Sequence, residues 1–334
     1  AQLPSQYYRG FNFLLDGEEE GAVDAFTEAL AVNEETLDTH IALGSVLRKR
    51  GEVDRAIRIH QNLLKRPQLS AVQLHQSHLE LARDFIAAGL YDRAEQLLVD
   101  LAAQSSEFSA TAQRHLLDVY EAQRDWSAAV ATAEELIALA ESEGQSAAGH
   151  GQPAQQLRGH YLCEQAENAH GFGDYKAAKS FYEQALRDQP QELRALMGLV
   201  RCALKDSDRP SAMKYFSRVM ESNRRCTPEI LGLLRDVCSA EPYSDVYLSS
   251  LQRYYSQQNS PLLALALAEE LSRQKGNEAA SLFLRSTLNQ YPSASVAASL
   301  ALNALESQDS QPERDVLDEL IRNDHGYQCD HCGF

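Results

Sequence analysis

The stretch Gly173-Asp174-Tyr175-Lys176-Ala177-Ala178-Lys179-Ser180-Phe181-Tyr182-Glu183-Gln184-Ala185, closed by Pro190, holds the pattern on which the fold turns. Ala178, Tyr182 and Ala185 are spaced four and three residues apart, so a helix would carry them on one face. Gly173 lies where a preceding helix must stop, because glycine accepts the left-handed cap conformation without a side-chain penalty. Pro190 has no N–H to donate and ends the second helix. The unit therefore reads as helix, tight turn, helix. Working outward, the same columns return. Gly10, Phe13, Gly17, Ala22, Phe26 and Ala29 match Gly44, Leu47, Gly51, Ala56, His60 and Leu63 at a constant interval of 34 residues. A third copy runs Ala82, Phe85, Gly89, Ala94, Leu98, Leu101, and a weaker one Leu117, Tyr120, Ala129, Ala133, Leu136. Later copies carry Leu199, Ala212, Phe216 and Val219, then Ala280, Leu284, Thr287 and Pro292, with 230–255 placed between them by spacing alone.

Small residues at two columns let antiparallel helix axes approach closely, and the aromatic or leucine that follows fills the space between one hairpin and the next. The interval and the columns resemble the tetratricopeptide repeat. That resemblance implies an all-α solenoid, a right-handed superhelix of antiparallel helix hairpins. It spans residues 3–322 as about seven to nine hairpins on this period. The segment 143–153, rich in turn formers, reads as an irregular exposed loop. Solenoids of this kind offer extended docking surfaces rather than closed catalytic pockets.

Composition agrees with a folded chain: 44% hydrophobic and 24% charged over 334 residues. A net charge of −17, with no basic block longer than Arg48-Lys49-Arg50, argues against nucleic acid as a partner. The longest apolar run, Leu262 to Ala268, is far below the roughly 20 residues of a membrane span. Cys163, Cys202, Cys226 and Cys238 lie singly in helical patterns and read as core thiols, which implies a reducing compartment. The chain opens at Ala1 and closes at Phe334, and both ends read as the edges of a longer protein.

The sharpest chemical motif is Tyr327-Gln328-Cys329-Asp330-His331-Cys332-Gly333-Phe334. Two thiolates two residues apart, followed by glycine, can point both sulfurs at one metal. The aromatic before and the glycine after resemble a rubredoxin-like knuckle, so 325–334 reads as the first half of such a module. Cys329 and Cys332 would be two of four ligands for zinc or iron, with a second pair expected downstream. The alternative is two reduced cysteines in a frayed tail. His331, between them, is expected to face solvent. His75 and His78 share a helix face without a third ligand nearby. Tyr7, Tyr8, Trp126, Tyr254 and Tyr255 read as packing residues at hairpin junctions, and Glu18-Glu19-Glu20 as a solvated helix start. None of the phosphate-loop, dinucleotide, zinc-protease or serine-elbow motifs occurs, and no catalytic or organic-cofactor site is expected.

A solenoid of these hairpins followed by a rubredoxin-like knuckle resembles the lipopolysaccharide assembly protein B family of Gram-negative bacteria. Gly51 to Gln61, Ala87 to Glu95 and Phe11 to Leu15 look like that family's hairpins, and Tyr327 to Phe334 like the start of its metal module. The resemblance implies a non-enzymatic adaptor at the cytoplasmic face of the inner membrane, anchored by an upstream transmembrane helix. Its implied partners are the FtsH protease, the LpxC deacetylase of lipid A synthesis, whose degradation it promotes, and a lipopolysaccharide-sensing inner-membrane protein. A homodimer stays open. Two other classes stay open as well. A generic peptide-binding co-chaperone would need a basic clamp of Lys, Arg and Asn on consecutive hairpins, and none assembles from these repeats. A rubredoxin-type redox protein would need iron in a complete site.

Overall fold

A computed structural model describes residues 5–15, 21–22, 25, 37–65, 69–142, 151–222, 227–239 and 244–306. Among these residues every regular element is a helix. In chain order they are α1 (Ser5–Leu15), α2 (Leu37–Lys49), α3 (Val53–Leu64), α4 (Ala71–Ala87), α5 (Tyr91–Gln104), α6 (Ser106–Gln123), α7 (Trp126–Ser142) and α8 (Gly151–Gly171). There follow α9 (Tyr175–Asp188), α10 (Leu193–Lys205), α11 (Arg209–Ser222), α12 (Pro228–Val237), α13 (Ser244–Gln257), α14 (Pro261–Lys275), α15 (Asn277–Gln290) and α16 (Ala294–Glu306). The residues group into two compact units, 1–165 and 166–334.

Within the first unit, α2/α3, α4/α5 and α6/α7 are hairpins, and the leading helices α2, α4 and α6 also pack on one another in sequence. Within the second, α10/α11 and α14/α15 are hairpins, and α10 packs on α12 as α14 packs on α16. This is the expected all-α tetratricopeptide hairpin fold. The weakly patterned region 230–255 holds two helices, α12 and α13.

The turns are built alike. Gly51, Gly89 and Gly173 have φ of 86°, 71° and 82°, and the next residue's N–H reaches back five residues: Glu52 to Leu47 O, Leu90 to Phe85 O, Asp174 to Ala169 O. Two hairpins manage the same turn without glycine, through Arg124 (φ 56°) and Ser207 (φ 59°). Starts are capped as well: Ser70 and Gln73 form a reciprocal capping box on α4, and Thr227 accepts from Ile230 N–H ahead of Pro228 on α12. Pro190 and Pro292 fall just beyond α9 and α15.

The alanine columns behave as expected. Ala22, Ala56, Ala94, Ala129, Ala178, Ala212 and Ala280 are all fully buried. At such crossings an enlarged side chain must displace a helix. Replacing Ala56 or Ala178 by Leu is expected to cost about 1–3 kcal/mol, read as an earlier thermal transition; an unaltered transition would contradict the register.

Three expectations need correction. Of the segment 143–153, expected to be an irregular loop, 143–150 lie outside the described residues, and 151–153 instead open α8, with Gln152 and Pro153 in its first turn. Proline is tolerated there, since first-turn N–H groups have no intrahelical acceptor. Tyr8 is exposed rather than packed. Position 60, an aromatic or leucine column elsewhere, holds a buried histidine with a polar role described below. The other aromatics pack: Trp126 stacks on Tyr161, Tyr254 is buried, and Tyr255 meets Phe283 edge-on. Cys163, Cys202 and Cys238 are buried and in no disulfide, and burial pushes Cys202 and Cys238 up to about 11. Tyr7's side chain, Glu18, Glu19, Glu20 and Cys226 lie outside the description.

Candidate functional site

The leading helices α2, α4 and α6 each carry a polar residue directly after the close-packed column: Ser45 after Gly44, Arg83 after Ala82, Asp118 after Leu117. In the first unit these residues join a ladder that links three leading helices. Arg48 on α2 donates to Asp84 Oδ1 at 2.6 Å and to Glu80 Oε2 at 2.7 Å, both on α4. Ser45 donates to the same Glu80 oxygen at 3.2 Å. Arg83 donates to Glu80 Oε1 at 2.6 Å and, toward α6, through Nε to His115 Nε2 at 2.9 Å. Because His115 accepts at Nε2, its proton sits on Nδ1 and is donated to Asp118 Oδ2 at 3.0 Å.

The ladder's inner end is dry. Asp84 and His60 have no exposed side-chain surface, and His60 Nδ1 donates to Asp84 Oδ2 at 2.5 Å. The imidazole fits because α2 presents no side chain at Gly44, where a Cβ would lie 2.4 Å from His60 Nε2. Burial opposes the charge of Arg48, but its hydrogen bonds to Glu80 and Asp84 outweigh this and raise its pKa. Burial likewise opposes ionisation of Glu80, and Arg48 with Arg83 overcomes it to hold the carboxyl below its ordinary range. Pairing at both ends is what makes buried charge tolerable here.

The second unit repeats the theme nearer to solvent. Arg194 reaches Glu167 at 2.8 Å, Arg201 reaches Glu229, and Arg235 reaches Glu269 at 3.3 Å, each pair bridging successive leading helices. Glu167, Arg201, Arg235 and Glu269 recur at the 34-residue interval. That recurrence is visible in the sequence, in charged positions separate from the apolar columns. Half-exposed pairs such as these contribute little to stability. They leave a lattice of fixed donors and acceptors along the leading helices, suited to reading the polar surface of another protein.

The arrangement is one of recognition. The arginines of both ladders already face carboxylates. His75 stacks edge-on with Phe108, and burial followed by the proximity of His75 lowers the pKa of His78. No group of three or more His, Cys, Asp or Glu suited to a metal occurs among the described residues. Cys329, His331 and Cys332 lie outside them. No described helix is long and apolar enough to cross a membrane.

Comparison with known proteins bears on the same residues. Models of the tetratricopeptide repeat match residues 39–69, 79–146 and 169–237. Over its full length the chain is similar to lipopolysaccharide assembly protein B of Escherichia coli (strain K12), at 29% identity, covering 100% of this chain and 85% of that protein. The Haemophilus influenzae (strain ATCC 51907 / DSM 11121 / KW20 / Rd) protein of the same name is 29% identical, with the same coverage. Among solved structures, the MamA protein aligns at 22% identity and a TM-score of 0.38, over 57% of this chain and 93% of that one.

Proposed function

From the premise that this chain belongs to the tetratricopeptide-repeat family, we propose that it is a non-enzymatic docking scaffold in the control of lipopolysaccharide synthesis. The observation that carries this is the polar ladder along leading helices whose apolar columns are wholly spent on packing. Full-length similarity to lipopolysaccharide assembly protein B supplies the pathway.

The finer reading is that of an adaptor at the cytoplasmic face of the inner membrane. In it the scaffold holds the LpxC deacetylase within reach of the FtsH protease and answers to a lipopolysaccharide-sensing membrane protein. Holding two proteins together raises their effective concentration without any chemistry in the scaffold itself. Cys329 and Cys332 would contribute two thiolates to a zinc or iron site in the longer protein, a reading supported by their spacing.

The test is reconstituted proteolysis. Degradation of LpxC by FtsH is expected to quicken on adding the full-length protein and to lose that gain when Arg201 and Arg235 are both replaced by Glu, since reversed charge on a docking face disfavours association. A degradation rate indifferent to the scaffold would remove the adaptor reading.

A further inference from the structure

In the second unit, α12, α13 and α14 line a half-open cavity of about 360 Å³, within the size range of small ligand sites. Its charges balance, with Arg235 and Arg273 facing Glu269 and Glu270. A bound cation would meet two guanidiniums and a bound anion two carboxylates.

What the cavity holds unspent is hydrogen-bonding capacity of both kinds. Tyr247 is 6% exposed, and its hydroxyl has no partner in hydrogen-bonding geometry among the described residues. The Arg235 guanidinium stands beside that oxygen and favours the phenolate, but burial outweighs it and raises the phenol's pKa. The hydroxyl therefore keeps its proton and has it to give. Glu270 is buried and lines the same cavity. Both of its donors, Arg273 Nη2 at 2.6 Å and Gln274 Nε2 at 2.7 Å, fall on Oε1. Oε2 is left to accept. Tyr247 and Glu270 both line this cavity, so donor and acceptor face one space. A buried polar group without a partner is costly, and a ligand that answers it recovers that cost.

We propose that this cavity receives the carboxamide of an Asn or Gln side chain presented by a partner protein. The carbonyl accepts from Tyr247, the amide NH2 donates to Glu270 Oε2, and the neutral group disturbs neither ion pair. A side-chain carboxamide enters end-on, whereas a main-chain amide is flanked by chain on both sides. The proposal rests on the docking reading and names the chemistry recognised at one of its subsites.

Full-length chain carrying 13C-labelled tyrosine reports binding directly, with the Tyr247 resonance identified by its loss in Tyr247→Phe. Titration with N-acetyl-glutamine N-methylamide is expected to shift that resonance saturably. The alanine analogue, which offers main-chain amides only, and the glutamate and lysine analogues should bind at least about tenfold more weakly. Glu270→Gln should weaken the glutamine probe by about tenfold or more, as expected for loss of a hydrogen bond to a charged group. Tyr247→Phe, which keeps the ring, should weaken it comparably by calorimetry. Equal response to the alanine and glutamine analogues, preference for either charged analogue, or no response at all would overturn the assignment. A chain that ignores the glutamine probe yet accelerates proteolysis would refute the pocket while leaving the scaffold standing.

Discussion

Asp84→Ala is expected to destabilise the first unit by about 3–5 kcal/mol, the range for removing one member of a buried charge cluster. Asp84 is fully buried and accepts from two donors, Arg48 Nη1 at 2.6 Å and His60 Nδ1 at 2.5 Å. Truncation strands both. Arg48 retains Glu80, but His60, whose Nε2 already lacks a partner among the described residues, loses its hydrogen bond inside a dry site. Asp84→Asn keeps the shape and one acceptor and should cost less. Replacing Arg48, His60 and Asp84 together with Met, Phe and Leu should restore most of the loss, because a volume-matched apolar core needs no pairing. Hairpin stacks open locally, so amide hydrogen exchange across α2, α3 and α4 is the appropriate readout. A loss no larger than the roughly 0–1 kcal/mol of a surface pair would mean that water reaches the cluster.

Phe216→Ala should be of similar size in the second unit, about 3–5 kcal/mol for a buried phenylalanine truncated to a cavity. Phe216 has no exposed surface, meets Tyr254 edge-on at 6.3 Å, and joins α11 to a core that includes Val237, Leu251 and Leu267. The lost protection should appear in α10, α11, α12 and α13. Phe216→Leu should recover much of the loss, since Leu284 occupies the same column in a later hairpin and is equally buried. Protection unchanged by Phe216→Ala would show that the column does not bear the packing assigned to it.

Column identity alone does not say how a column is filled. Phe216, Tyr182 and His60 occupy one repeat position, yet Tyr182 lies against Gly198, where a Cβ would come within 2.2 Å of its ring, and His60 lies against Gly44. The glycine that makes room sits in the following hairpin in the first case and in the same hairpin in the second. The alanine columns, the cap glycines and the prolines were legible because each acts through its own helix or turn. The ladder was not. His60 reads as an irregular member of an aromatic column, and nothing within four residues of it signals Asp84. The charged positions 167, 201, 235 and 269 were available as a periodic signal, but only their placement on adjacent leading helices reveals that they meet. Tyr247 gave no sign of its unpaired hydroxyl, a property of the walls around it.

The amino-acid sequence by itself determined the hairpins, their interval and their buried faces, because small residues at helical spacing and caps at helix ends act locally and repeat. Only the tertiary structure decided which charges pair, which histidine is dry and where a cavity opens. Those outcomes depend on side-chain reach across neighbouring hairpins, where a shift of about an ångström separates a hydrogen bond from an empty space.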